Sequence, residues 1–142
     1  MWGYSADAGL HALRLICSGL FDIFPRLKII LGHLGEALPF WLWRLDSRWE
    51  WEAARAGHHD RVLEKNPSQY VKDNFLITTS GMCYQPALIC ACLALGADKI
   101  LFAADYPWES EDEAVEFMEA APISDSDKEK IYYRNAEDYL KL

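Results

Sequence analysis

The stretch Leu27-Lys28-Ile29-Ile30-Leu31-Gly32-His33-Leu34-Gly35-Glu36 decides how the rest of the chain is read. Leu27 to Leu31 is a short apolar run with two β-branched residues, stopped by a glycine. It reads as a buried strand near 27–31. Beyond it, Leu38, Trp41, Leu45 and Trp49 recur at helical spacing, which predicts a helix from Leu34 to about Ala56. Upstream, Leu10, Leu13, Ile16, Leu20 and Ile23 recur in the same way, so a helix is expected from about Ala6 to Ile23, ended by Pro25.

The same alternation continues downstream. Phe75 to Thr79 reads as a second strand, followed by Ser80-Gly81. Gln85 to Leu95 reads as a helix capped by Gly96, and Ile100 to Ala103 as a third strand broken by Asp105-Tyr106-Pro107. An acidic amphipathic helix is expected over Ser110 to Ala120. Ser124, with Asp127 three residues on, opens another helix, and a last helical stretch covers Asn135 to Leu142. Gly57 to Pro67 is polar and reads as a loop or a short irregular helix. Short apolar strands alternating with helices are the pattern of βα units around a parallel sheet, so the fold class is α/β.

Composition narrows the function. The chain has 142 residues, 51% hydrophobic and 25% charged, which excludes disordered and collagen-like chains and gives a prior of one domain. Its net charge is −8. Asp105 to Leu142 carries twelve acidic and four basic residues, so the whole excess lies there, on solvated helix faces. Such a chain is a poor partner for a nucleic-acid backbone or an anionic membrane. There is no signal-peptide pattern and no apolar run of roughly 18 residues, so a cytoplasmic location is expected. Cys17, Cys83, Cys90 and Cys92 form no CxxC pair and are expected to be buried, reduced thiols.

In parallel α/β folds the chemistry collects where strands end. His33 lies just past the first strand, with Glu36 three residues on. Glu36 can reach back to hold the imidazole, fixing its tautomer and raising its basicity. A histidine at a helix start beside a capping glutamate is the alternative. Asp105, at the end of an apolar strand, needs a metal ion, a base or a helix N-terminus as partner, or else merely initiates a turn. Thr78 to Gly81 offers hydroxyls and an approachable backbone. Arg44, among Trp41, Trp43 and Trp49, is suited to holding a carboxylate or phenolate, or forms a surface ion pair with Asp46 or Glu52. His58-His59-Asp60 reads as solvated surface, His11 as structural, and Tyr132-Tyr133 as packing.

Together these ends resemble one family. Gly32-His33-Leu34-Gly35-Glu36, Leu38-Pro39-Phe40, Trp43-Arg44-Leu45-Asp46, Asn74-Phe75, Thr78-Thr79-Ser80-Gly81, Ile100 through Glu109 and Asn135-Ala136 are similar, in order, to the amidohydrolase-related aromatic acid decarboxylases that act on dihydroxybenzoates. The resemblance implies part of a (β/α)8 barrel with one divalent metal, zinc or manganese, at the C-terminal mouth. It implies that Asp105 ligates the metal and moves a proton to the substrate ring, and that His33 is a catalytic acid/base with Glu36 as its partner. It implies that Arg44 binds a small aromatic acid, and Tyr106 with Trp41, Trp43 and Trp108 fits a flat ring. The implied reaction is non-oxidative: the carbon bearing the carboxylate is protonated and carbon dioxide leaves.

A complete barrel of this kind takes roughly 250 residues, so the expectation is the last three βα units plus terminal helices. No Glu-x-His or Asp-x-His motif occurs in the sequence, so an incomplete metal site is expected. Three barrel strands leave open edges and one uncovered face, and the helix from Pro86 to Leu95 carries no charge. Association is therefore expected, as a homo-oligomer or with a missing N-terminal half. Two other functions remain open: a hydrolase of the same scaffold acting on a C–C or C–N bond, and an inactive truncated product.

Overall fold

The computed structural model describes residues 2–55 and 63–142. Its elements run α1 (Trp2–Cys17), α2 (Leu20–Ile23), β1 (Ile29–Leu31), α3 (His33–Glu36), α4 (Leu38–Arg55), α5 (Pro67–Asn74), β2 (Phe75–Thr78) and α6 (Gln85–Leu95). They continue with β3 (Ile100–Leu101), α7 (Glu111–Glu119), α8 (Asp125–Glu129) and α9 (Asn135–Leu140). A 3-10 turn (Ala97–Lys99) precedes β3 and a π-helical turn (Lys130–Arg134) precedes α9.

The three strands pair in parallel, in the order β1-β2-β3. Their C-terminal ends therefore open onto one edge, which gathers the segments after Leu31, Thr78 and Leu101. Ile29 lies opposite Phe75, Leu31 opposite Ile77, and Ile77 opposite Ile100. These residues face the helices. Ile77 and Ile100 pack with Leu88, Met118 and Ile131, while Phe75 packs with Ile16, Phe21 and Tyr70. Each such fully buried side chain contributes about 1.5–3 kcal/mol by leaving water. Strand alternation turns Ile30 to the opposite face, where it is 50% exposed, while its β2 neighbour on that face, Leu76, is 2% exposed, so the face is open only at the β1 edge.

Several boundaries differ from the sequence expectation. β2 ends at Thr78 because the next residue continues the pairing through its side chain. The Thr79 N–H donates to Leu101 O at 3.0 Å, and its hydroxyl donates to Ala103 O at 2.9 Å and accepts from Ala103 N–H at 3.0 Å. The first helix is two helices, because the chain turns at Ser18-Gly19. α4 begins at Leu38, not Leu34, for a reason that belongs to the site below. α5 was not expected at all. It is tied to α4 by Asp46, whose carboxylate accepts the Ser68 N–H at 2.9 Å and the Ser68 hydroxyl at 2.6 Å. The Ser124 cap on α8 is present as expected, accepting from Asp127 N–H at 3.1 Å.

The cysteines are another correction. Cys17, at the end of α1, and Cys83, in the loop before α6, are exposed, and Cys90 and Cys92 are half-buried on α6, which turns one face outward. α6 buries Leu88 and Ala91, but its Leu93 is 84% exposed. Among the described residues no helix is long and apolar enough to cross a membrane.

Asn135 fastens α9 beneath β3. Its amide donates to Ala97 O and Ile100 O, both at 2.7 Å, from a site only 4% exposed. Replacing Asn135 with alanine leaves two buried carbonyls short of a donor and should lower stability by about 1–3 kcal/mol, read from urea unfolding.

Candidate active site

β1 leads through Gly32 into a segment wound the wrong way for L-residues. His33, Leu34, Gly35, Glu36 and Ala37 have φ of 54°, 50°, 79°, 50° and 65° in succession. Each non-glycine residue in that region costs about 1–2 kcal/mol, so the surroundings must impose it. Leu34 is buried against Ile77 in the core. At Gly35 the chain passes so close to its neighbours that a Cβ would lie 2.9 Å from Ile77 Cγ2 and 3.1 Å from Pro39 Cδ. The left-handed turn thus occupies the space in which α4 was expected to begin.

The turn places Glu36 beside His33. Glu36 Oε1 lies 3.2 Å from His33 Nδ1, and His33 Nε2 lies 3.5 Å from Asp105 Oδ2. Glu36 is 5% exposed, whereas His33 and Asp105 are 37% and 34% exposed. The anchor is buried and the reactive end is open. Among the described residues Glu36 Oε2 is buried without a hydrogen-bond partner, and His33 is the charged or titratable group nearest this carboxylate's other oxygen. That contact orients the imidazole and leaves Nε2 facing Asp105. The imidazole thus lies between two carboxylates, within ion-pair distance of each.

Asp105 also sits in the left-handed region, at φ 78°, and its carbonyl accepts the N–H groups of Trp108 at 2.9 Å and Glu109 at 3.2 Å. From the end of β2, the Ser80 hydroxyl lies 2.7 Å from Thr78 Oγ1 and accepts the His33 N–H at 3.4 Å. A cleft of about 490 Å3 opens beside His33, walled by Leu34, Pro39, Phe40, Met82 and Tyr84. Its volume suits a small organic ligand.

Of the five residues singled out in the sequence, three come together: His33, Glu36 and Asp105. Arg44 is exposed on α4, and Asp46 is occupied by Ser68, not by Arg44. The guanidinium groups that stack on a tryptophan are those of Arg48 and Arg55, at 5.5 and 4.6 Å from Trp51. Tyr106 is 74% exposed, and neither it nor Arg44 is hydrogen-bonded to the His33 cluster among the described residues. His58, His59 and Asp60 lie outside the described residues. His11 is exposed on α1, and Tyr132 packs on Phe102 at 5.2 Å. Burial, with Asp127 nearby, pushes the Cys92 thiol up to about 11, which leaves it unsuited to nucleophilic work.

The family model described as amidohydrolase matches residues 2–142. This chain belongs to the amidohydrolase family. It is 43% identical to a gamma-resorcylate decarboxylase of Polaromonas sp. strain JS666 over 99% of its own length. It is also similar to the crystal structure of 5-carboxyvanillate decarboxylase from Sphingomonas paucimobilis, with a TM-score of 0.91, 42% identity and coverage of 99% of this chain and 41% of that one. A dihydroxybenzoic acid decarboxylase of Polaromonas sp. JS666, solved with manganese and the inhibitor 2-nitroresorcinol, gives a TM-score of 0.88 at 41% identity, covering 99% of this chain and 42% of that one. The chain spans about 42% of the length of the curated gamma-resorcylate decarboxylases it matches.

Manganese in that neighbour raises the question of what this chain could hold. A tight mononuclear site normally takes three or four protein ligands. Among the described residues no group of three or more His, Cys, Asp or Glu side chains is placed for one. Asp105 and His33 offer two donors at most, and the other nitrogen of His33 is held by Glu36. The described residues do not fit a complete metal site by themselves.

Proposed function

We propose that this chain is the C-terminal part of a metal-dependent, non-oxidative decarboxylase of hydroxybenzoate-type aromatic acids, forming the last βα units of one barrel domain. The observation that carries the reading is the His33 imidazole held by Glu36 at Nδ1 and facing Asp105 at Nε2. This is an imidazole–carboxylate pair at the mouth of a parallel sheet. Its presence in a chain 43% identical to a gamma-resorcylate decarboxylase supports the named chemistry.

Decarboxylation of an electron-rich ring needs a proton at the carbon that bears the carboxylate. Asp105 delivers it, since its carboxyl end is accessible and backed by His33. The ring then loses aromaticity. The C–C bond to the carboxylate breaks, its electron pair restores the ring, and carbon dioxide leaves. His33 relays a proton taken up from solvent back to Asp105, and Glu36 keeps the imidazole oriented. Arg44 and Tyr106 bind the substrate carboxylate and ring once the mouth is complete. The protein is cytoplasmic, and works as a homo-oligomer or with the N-terminal half of the barrel.

Carbon dioxide release from a panel of hydroxybenzoates, by the complete barrel that carries this sequence, tests the reading. Hydrolysis without carbon dioxide would instead favour a hydrolase. The described ligand set gives a further expectation. Purified as 142 residues, the chain should retain far less than one equivalent of zinc or manganese after dialysis, read by elemental analysis. Stoichiometric metal would show that the donors here suffice.

A further inference from the structure

The loop after β2 holds a residue on which the His33–Asp105 contact depends. Gly81 has φ +59°. A Cβ built on it would lie 3.0 Å from His33 Cδ2, 3.2 Å from His33 Nε2 and 3.3 Å from Asp105 Oδ2. Those last two atoms are the ones that face each other at 3.5 Å. A single added carbon would therefore crowd both partners at once, on the side where they meet. The neighbouring Ser80 acts on the same histidine from behind. Its hydroxyl, buried at 8% exposure and braced by Thr78 Oγ1 at 2.7 Å, accepts the backbone N–H of His33.

We propose that Gly81 is a positioning residue for the His33–Asp105 pair: its bare α-carbon leaves the space in which His33 Nε2 and Asp105 Oδ2 approach one another, while Ser80 holds the backbone from which His33 projects. This rests on the decarboxylase reading for its kinetic consequence, but not for its structural one. Gly81 presents no side chain to a substrate, so it acts only through the other two residues. A methyl group here requires the ring and carboxylate atoms to give by a few tenths of an ångström. A misplacement of about 1 Å in a catalytic geometry can cost roughly 10²-fold in rate, so a shift of about half that size should cost about tenfold.

The test is Gly81→Ala, with Gly96→Ala as its control. Gly96 also has positive φ, at +94°, but the nearest atoms its Cβ would meet belong to Asp98. At φ 94° and ψ 149° it carries backbone strain at least as severe, with its closest contact to Asp98 Oδ1, away from the pair. Two readouts are needed. The first is a crystal structure of each variant chain. Gly81→Ala should widen the Nε2–Oδ2 separation from 3.5 Å to beyond about 4 Å, out of ion-pair contact, and Gly96→Ala should leave it unchanged. The second is kinetics of the complete barrel. Gly81→Ala should lower kcat about tenfold or more, with KM moving less than about threefold, and Gly96→Ala should leave kcat in place. The proposal is overturned if the pair keeps its 3.5 Å contact in Gly81→Ala, or if kcat survives with the pair split. If the unmodified barrel releases no carbon dioxide, the decarboxylase reading fails alone, and the separation in the variant structure still decides whether Gly81 positions the pair.

Discussion

Asp105→Asn should abolish measurable decarboxylation by the complete barrel, with kcat reduced by about 10²- to 10⁴-fold, the usual worth of a general acid. The substitution removes the ionisable group and keeps its size. Asparagine matches aspartate in size, and it tolerates the left-handed backbone better than most residues, which matters because Asp105 sits at φ 78°. The turn in which its carbonyl accepts from Trp108 and Glu109 is therefore kept. What is lost is a group that can bind and release a proton opposite His33 Nε2. Stability of the 142-residue chain should change by less than about 1 kcal/mol, since the side chain is a third exposed and reaches solvent. Unfolding and kcat measured on the same variant separate the two effects. Retained turnover would move the acid role from Asp105 to His33.

Gly35→Ala should have the largest effect on the fold. Two costs add at this one position. An L-residue at φ +79° costs about 1–2 kcal/mol. The new methyl also meets Ile77 Cγ2 at 2.9 Å and Pro39 Cδ at 3.1 Å. Ile77 is a central residue of β2, 1% exposed, and Pro39 opens α4, so neither yields without moving an element. Overpacking of this kind costs about 1–3 kcal/mol. The expected total of about 2–5 kcal/mol should appear as a lower urea midpoint with an unchanged slope. If the chain remains folded, the Glu36–His33 contact should lengthen, because the left-handed turn is what brings residue 36 back to residue 33.

The strands and most helices were legible because their residues carry local information. Ile29 to Leu31, Phe75 to Thr78 and Ile100 to Leu101 are apolar, partly β-branched and bounded by breakers. Gln85–Leu95 ends at a glycine, and Ser124 caps α8 with its own side chain. α5 was missed because its N-terminus is held by Asp46, 22 residues upstream, and the only local sign was Asn66-Pro67. The left-handed turn at 33–37 was missed for a related reason. Nothing in Leu34, Glu36 or Ala37 favours φ above zero, and the conformation comes from β2 and Pro39 closing on Gly35.

Within the site, His33, Glu36 and Asp105 were legible from their place at strand ends, and the structure joins them. Their spacing was read as that of a right-handed helix start, yet the contact at 3.2 Å is made through left-handed backbone. Gly81 carried no chemical signal, since its part is to leave space. The Ser80-Gly81 pair directly after a strand was the sole trace of it. Arg44 and Tyr106 have side chains suited to binding an aromatic acid, and both stand exposed in this chain.

Hydrogen exchange on the phenol left after decarboxylation is the most direct test of the His33–Asp105 pair. By microscopic reversibility, the group that protonates the ring carbon also removes its hydrogen. In D2O with bicarbonate, each carboxylation removes the ring hydrogen and each decarboxylation returns deuterium, so the complete barrel should exchange the hydrogen at the vacated carbon much faster than the uncatalysed solution, as read by proton NMR. Asp105→Asn should slow that exchange to background. Exchange at the same rate in Asp105→Asn, or none in an unmodified barrel that releases carbon dioxide, would contradict proton transfer by Asp105 backed by His33 and Glu36.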